Sequence, residues 1–190
     1  MAKKVWKEIT KPLLVLSALF AVALWLGYLS AQAHPSDSLE LFQKIAKSMN
    51  ALRGMNPFVV FLMLFVSTLL KAVSVIVFGT FFWVVPAIFV FISGALVGVM
   101  SSVVIIKHGV GYLIPIISPH GILELPAFFL ASAYGVRLGT RYWYKLRYGE
   151  PFKPVFIRIM KNTAKYVLPL VIFSSVTETA IISWFLTTMK

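Results

Sequence analysis

Of the six acidic residues in this 190-residue chain, only Glu124 and Glu178 fall inside apolar runs long enough to cross a bilayer. An ionised carboxylate at that depth is costly unless it is paired, protonated or hydrated, so two of them point to a sheltered polar centre. His120 stands four residues before Glu124, one helical turn away on the same face. Three chemistries fit His120, Glu124 and Glu178. They form a hydrogen-bonded packing cluster with at least one glutamate protonated, a cation or proton site on a permeation route, or ligands for a divalent metal such as zinc. One imidazole and two carboxylates suit that last role. The spacing His-x-x-x-Glu is not the His-Glu-x-x-His of zinc proteases, and no phosphate-binding glycine loop, nucleophile elbow or nucleotide fingerprint occurs. No catalytic residue is therefore assigned, and apart from such a metal no cofactor is expected. Cysteine is absent, which removes disulfides, thiolate metal sites and cysteine nucleophiles. His34 and His108 lie in loops and read as surface residues.

The elements that must position this centre are apolar helices. The hydrophobic fraction is 59% and the charged fraction 13%, against about 45–50% and 25% in ordinary globular domains. With about 20 residues per span, most of the chain goes into crossing lipid, leaving no room for a separate soluble catalytic domain. The pattern predicts a single all-α membrane domain, a bundle of about five spans over 12–30, 57–78, 82–106, 119–138 and 166–186. The first reads as an uncleaved signal anchor, although Ala31-Gln32-Ala33 resembles a signal-peptidase site. Ala23 and Gly27 give it a small packing face, and Gly94 and Gly98 form a close-approach pair in the third span. Asn56-Pro57 opens the second span, in which Lys71 is expected to snorkel towards an interface rather than to pair with an acid, and Gly79-Thr80 is expected to reverse the chain.

Residues 107–118 are rich in Gly and Pro and predict a broken or re-entrant stretch near 107–120. Ser118-Pro119 reads as a helix start, and a span from Pro119 to about Leu138 measures about 28 Å. Pro126 inside it leaves the Ile122 carbonyl without a donor, a fault tolerated at membrane depth only where protein or water answers it. On the fifth span Ser174 shares a face with Glu178, and Ser175, Thr177 and Thr179 surround it; these hydroxyls either hydrate a site or bond back to helix carbonyls. Both glutamates are expected in the outer half, Glu124 about 7–8 Å and Glu178 about 12 Å below the outer edge.

The net charge is +12. Because the cations sit in tails and loops beside the spans, they predict membrane orientation and contact with anionic lipid, with no nucleic-acid partner. The N-terminal tail and an inner basic loop at 137–165 hold twelve Lys and Arg, and the outer segments hold Lys44, Lys47, Arg53, Lys107 and Lys190. The asymmetry places the N-terminus in the cytoplasm and the C-terminus outside. The outer segment 34–56 reads as an amphipathic helix capped by Ser36 or Asp37, with Leu39, Phe42, Ile45, Ala46 and Met49 opposite Glu40, Gln43, Lys44 and Lys47. It and the 137–165 loop are the candidate surfaces for protein partners, and a homo-oligomer is expected.

The run Pro119-His120-Gly121-Ile122-Leu123-Glu124-Leu125-Pro126-Ala127 resembles the signature Pro-His-Gly-x-x-Glu-Leu/Ile-Pro-Ala of the stage II sporulation protein M family. Ser93-Gly94 followed by Gly98 resembles that family's Asn-Gly-x-x-x-Gly, with serine in place of asparagine, and Glu178 resembles the acid of its final helix, followed by a departing Thr179-Ala180. The resemblance implies an integral membrane protein without known enzymatic activity. The family's namesake looks like a membrane anchor for wall-remodelling partners in spore formers; relatives in organisms that form no spores mean that sporulation itself is not implied. Carried over, Pro119, His120, Gly121, Glu124, Pro126 and Glu178 are the signature positions.

Overall fold

A computed structural model describes residues 2–50, 55–82, 84–113 and 124–188. Among them the regular structure is helical, with no strand. The α-helices are α1 (Ala2–Ala33), α2 (Pro35–Asn50), α3 (Pro57–Phe81), α4 (Val85–His108), α5 (Glu124–Tyr148), α6 (Lys153–Asn162) and α7 (Leu168–Thr188). A 3₁₀ turn covers Val110–Tyr112, and a π-helical turn, Thr163–Val167, joins α6 to α7 without a break.

Among the described residues, four helical stretches are long and apolar enough to cross a membrane: Glu8–Ala33, Pro57–Phe81, Val85–His108 and Lys153–Ser183. The remaining long helix, α5, carries Glu124, Arg137 and Arg141 and falls short of them in hydropathy. Its position explains why. It touches α1, α3, α4, α6 and α7 and is buried without interruption from Leu130 to Gly135. A helix enclosed by other helices need not present an apolar surface to lipid. The expectation of about five spans holds in outline, with the fourth being the core helix.

Helices in lipid gain little from apolar burial as such, so close packing and polar contacts must hold them. Two glycine seams show this. A Cβ on Gly94 would lie 2.7 Å from the Phe20 carbonyl oxygen, and those on Gly98 and Gly27 would run into the backbones of Leu24 and Ala95. The two small faces legible in the sequence are thus each other's partners, joining α1 to α4. Phe20 faces Gly94 and Leu24 faces Gly98, so the two helices run in the same direction. In the second seam, a Cβ on Gly135 would meet the Val75 carbonyl at 2.6 Å, and one on Gly79 would meet the Gly135 Cα at 2.8 Å. Gly79 is therefore a packing residue inside α3, and the chain reverses after Phe81 instead of at Gly79-Thr80. The Phe81 and Tyr142 rings meet edge to face at 5.5 Å, so α3 and α5 also run in parallel.

Other boundaries move for local reasons. α3 opens at Asn56-Pro57 as expected, and Asn56 caps it, its side chain accepting from the Phe58 N–H at 2.9 Å. Only His34 separates the end of α1 from the start of α2 at Pro35, which puts Ser36 and Asp37 inside the first turn of α2 and removes them as caps. Its exposed Glu40, Gln43, Lys44 and Lys47 and half-buried Leu39, Phe42 and Ile45 match the amphipathic expectation. The expected basic loop at 137–165 is mostly helix: α5 continues to Tyr148, and only residues 149–152 link it to α6.

Candidate functional site

Glu124 is the first described residue of α5. The cation that answers it comes from α3. Lys71 Nζ donates to Glu124 Oε1 at 2.9 Å. Side chains on a helix lean towards its N-terminus, and α3 runs parallel to α5, so the lysine stem reaches back along α3 to the start of α5. The Glu124 side chain is 14% exposed and that of Lys71 51%. Lys71 is thus paired instead of snorkelling alone, and it is the residue of this centre that sequence reasoning missed. The signal was present in the cation inside an apolar run, but its partner lay 53 positions away.

Glu178 lies on the inner face of α7 and is 3% exposed. Of the hydroxyls around it, Ser174 donates to the Val171 carbonyl at 3.0 Å, Thr177 to that of Phe173 at 2.7 Å, and Thr179 to that of Ser175 at 2.7 Å. Those three are engaged with their own helix. The Ser175 hydroxyl is buried and has no hydrogen-bond partner among the described residues.

His120 lies outside the described residues, together with Pro119 and Gly121. Among the described residues no three His, Asp or Glu side chains come together as metal ligands do. Pro126 is the third residue of α5 and is exposed. The Ile122 carbonyl and residues 114–120 of the 107–120 stretch fall outside the described residues. Gly94 and Gly98 act in packing, in the α1–α4 seam.

Two further ion pairs gather at the other end of α5. Arg137 pairs with Glu8 of α1, their side chains 13% and 22% exposed, and Arg141 pairs with Glu150 at 2.8 Å. Arg137 had read as a loop residue. It lies within the bundle because α5 continues ten residues past Leu138, and its partner comes from the opposite end of the chain.

The family model for stage II sporulation protein M matches residues 16–182. No curated protein and no solved structure matches the chain. The match begins within α1, takes in α5 with its glutamate, and ends beyond Glu178 on α7, so this multi-pass membrane protein belongs to the stage II sporulation protein M family.

Proposed function

We propose that this chain is a non-enzymatic membrane scaffold whose intramembrane charges hold helices in place and whose surfaces dock partner proteins. The observation that carries the reading is the Lys71 ammonium on the Glu124 carboxylate. A carboxylate already answered by a lysine of the same chain is a poor receiver for a passing cation, and it ties α3 to the start of α5. The engagement of Ser174, Thr177 and Thr179 with their own helix supports the same view. The exposed polar face of α2, together with the open groove of about 360 Å³ lined by Ser30, His34, Asp37, Ser38, Leu41 and Val99, is the surface we assign to partner docking on the outer side.

A second reading has one observation in its favour. Glu178 is almost fully enclosed beside the unanswered Ser175 hydroxyl, and buried hydroxyls of that kind are where ordered water or an ion is held. On this reading His120, Glu124 and Glu178 form a cation, proton or zinc site of a channel or transporter component. Reconstitution separates the two. Proteoliposomes of the purified chain are expected to be no more permeable to protons, monovalent cations or divalent cations than empty vesicles. A flux that falls in Glu178→Gln or Glu124→Gln would overturn the scaffold reading. Stoichiometric zinc in the purified protein, lost in His120→Ala, would do so in favour of a metal site.

A further inference from the structure

The fold gathers positive charge onto one helix face at one end of the bundle. The continuous helix Lys153–Ser183 has 31 residues, about 46 Å at 1.5 Å per residue, and so overruns a hydrocarbon layer of about 30 Å. Its apolar part is α7, which leaves the overrun to α6 and the π turn. Along this stretch Arg158, Lys161 and Lys165 follow one another at intervals of three and four and share a face. All three are exposed. None of them enters an ion pair among the described residues, and the two carboxylates at this end, Glu8 and Glu150, are held by Arg137 and Arg141. Arg158 lies near enough to Arg137 to act on it electrostatically, so these two cations repel one another, and among the described residues Arg158, Lys161 and Lys165 have no carboxylate partner. Trp143, Tyr144 and Tyr148 are exposed alongside, the side chains that settle at headgroup level.

We infer that Arg158, Lys161 and Lys165 form a binding face for the phosphate groups of anionic phospholipids. The face spans about 10 Å from the first cation to the last, enough to reach neighbouring headgroups. The guanidinium fork of Arg158 fits a phosphate with two parallel hydrogen bonds, and the two ammonium groups add point charges. Continuity with a membrane helix favours a lipid over a soluble acidic partner, because a lipid phosphate reaches the face without leaving the bilayer. The inference concerns a ligand of the inner end and is independent of the role of the Lys71–Glu124 pair.

The test uses the full chain in neutral detergent, titrated with short-chain phosphatidylglycerol, with phosphatidylcholine of the same chain length, and with inorganic phosphate, binding being read by native mass spectrometry. Phosphatidylglycerol is expected to bind in preference to the other two and to weaken as salt is raised. The variant R158A/K161A/K165A is expected to lose affinity by about fivefold per cation, on the order of a hundredfold in all. K44A/K107A, which removes two exposed charges elsewhere, is expected to bind as the parent does. Equal binding of the two lipids, or parent-like phosphatidylglycerol binding by the triple variant, would overturn the inference. So would inorganic phosphate, or an acidic peptide such as oligoglutamate, competing at the affinity of the lipid. Single K161Q and K165Q variants, each expected to weaken binding about fivefold, keep the test decisive if the triple variant does not fold.

Discussion

At the scale of the residue, the Lys71–Glu124 pair makes a prediction that its two members must satisfy together. Lys71→Met leaves a carboxylate without its cation, and Glu124→Gln leaves an ammonium without its anion; each is expected to cost about 1–3 kcal/mol of stability. That is less than the 3–5 kcal/mol of a fully buried pair, because the lysine is half-exposed. The double change Lys71→Met with Glu124→Leu is expected to cost less than the sum of the single changes. Thermal unfolding of the four proteins in one detergent checks this, and strict additivity would mean that the two residues do not act as a unit. The need for a partner at Glu124 was legible in sequence, since a charge in an apolar run is costly wherever it stands. The identity of the partner was not, because it depends on which helices lie side by side and in which direction they run. The same holds for Arg137 and Glu8.

At the scale of the element, backbone proximity makes the glycines of the α1–α4 seam hard to replace. Gly98→Leu would drive a side chain into the backbone of Leu24 and is expected to destabilise the protein by about 1–3 kcal/mol through overpacking. Ala95→Leu, beside the same seam on a half-buried position, is expected to do similar harm through Gly27, whereas Ile92→Leu on the exposed side of α4 is expected to change little. Melting temperatures of the three variants are the measurement. The two small faces were visible as Ala23 with Gly27 and Gly94 with Gly98; that they mate was not, since either could have met any helix. Helix boundaries were less legible. Hydropathy falls after Leu138, but nothing there breaks a helix before Gly149, so α5 outruns its apolar stretch. Gly79 looked like a turn for the opposite reason, being a permissive residue whose small size is used against Gly135 and Pro86.

At the scale of the whole molecule, α1 with α4 and α3 with α5 are parallel pairs, and Glu8 near the start of α1 meets Arg137 in the second half of α5. Of the long helices, α1, α3, α4 and α5 therefore alternate in direction. With the positive charge inside, a green fluorescent protein at the N-terminus is expected to fluoresce and an alkaline phosphatase at the C-terminus to be active. An inactive C-terminal phosphatase would reverse or reduce the topology. The small-residue faces of α1 and α4 are occupied by each other, so a homo-oligomer would have to use other surfaces. The α1–α4 seam also bears on how the protein is made. α1 is synthesised more than fifty residues before α4 begins, which at about 5–20 residues per second leaves it several seconds in the membrane before its mate emerges. During that interval its glycine face is open to any passing helix, so faithful assembly depends on the insertion machinery keeping the early segment close until the later one arrives.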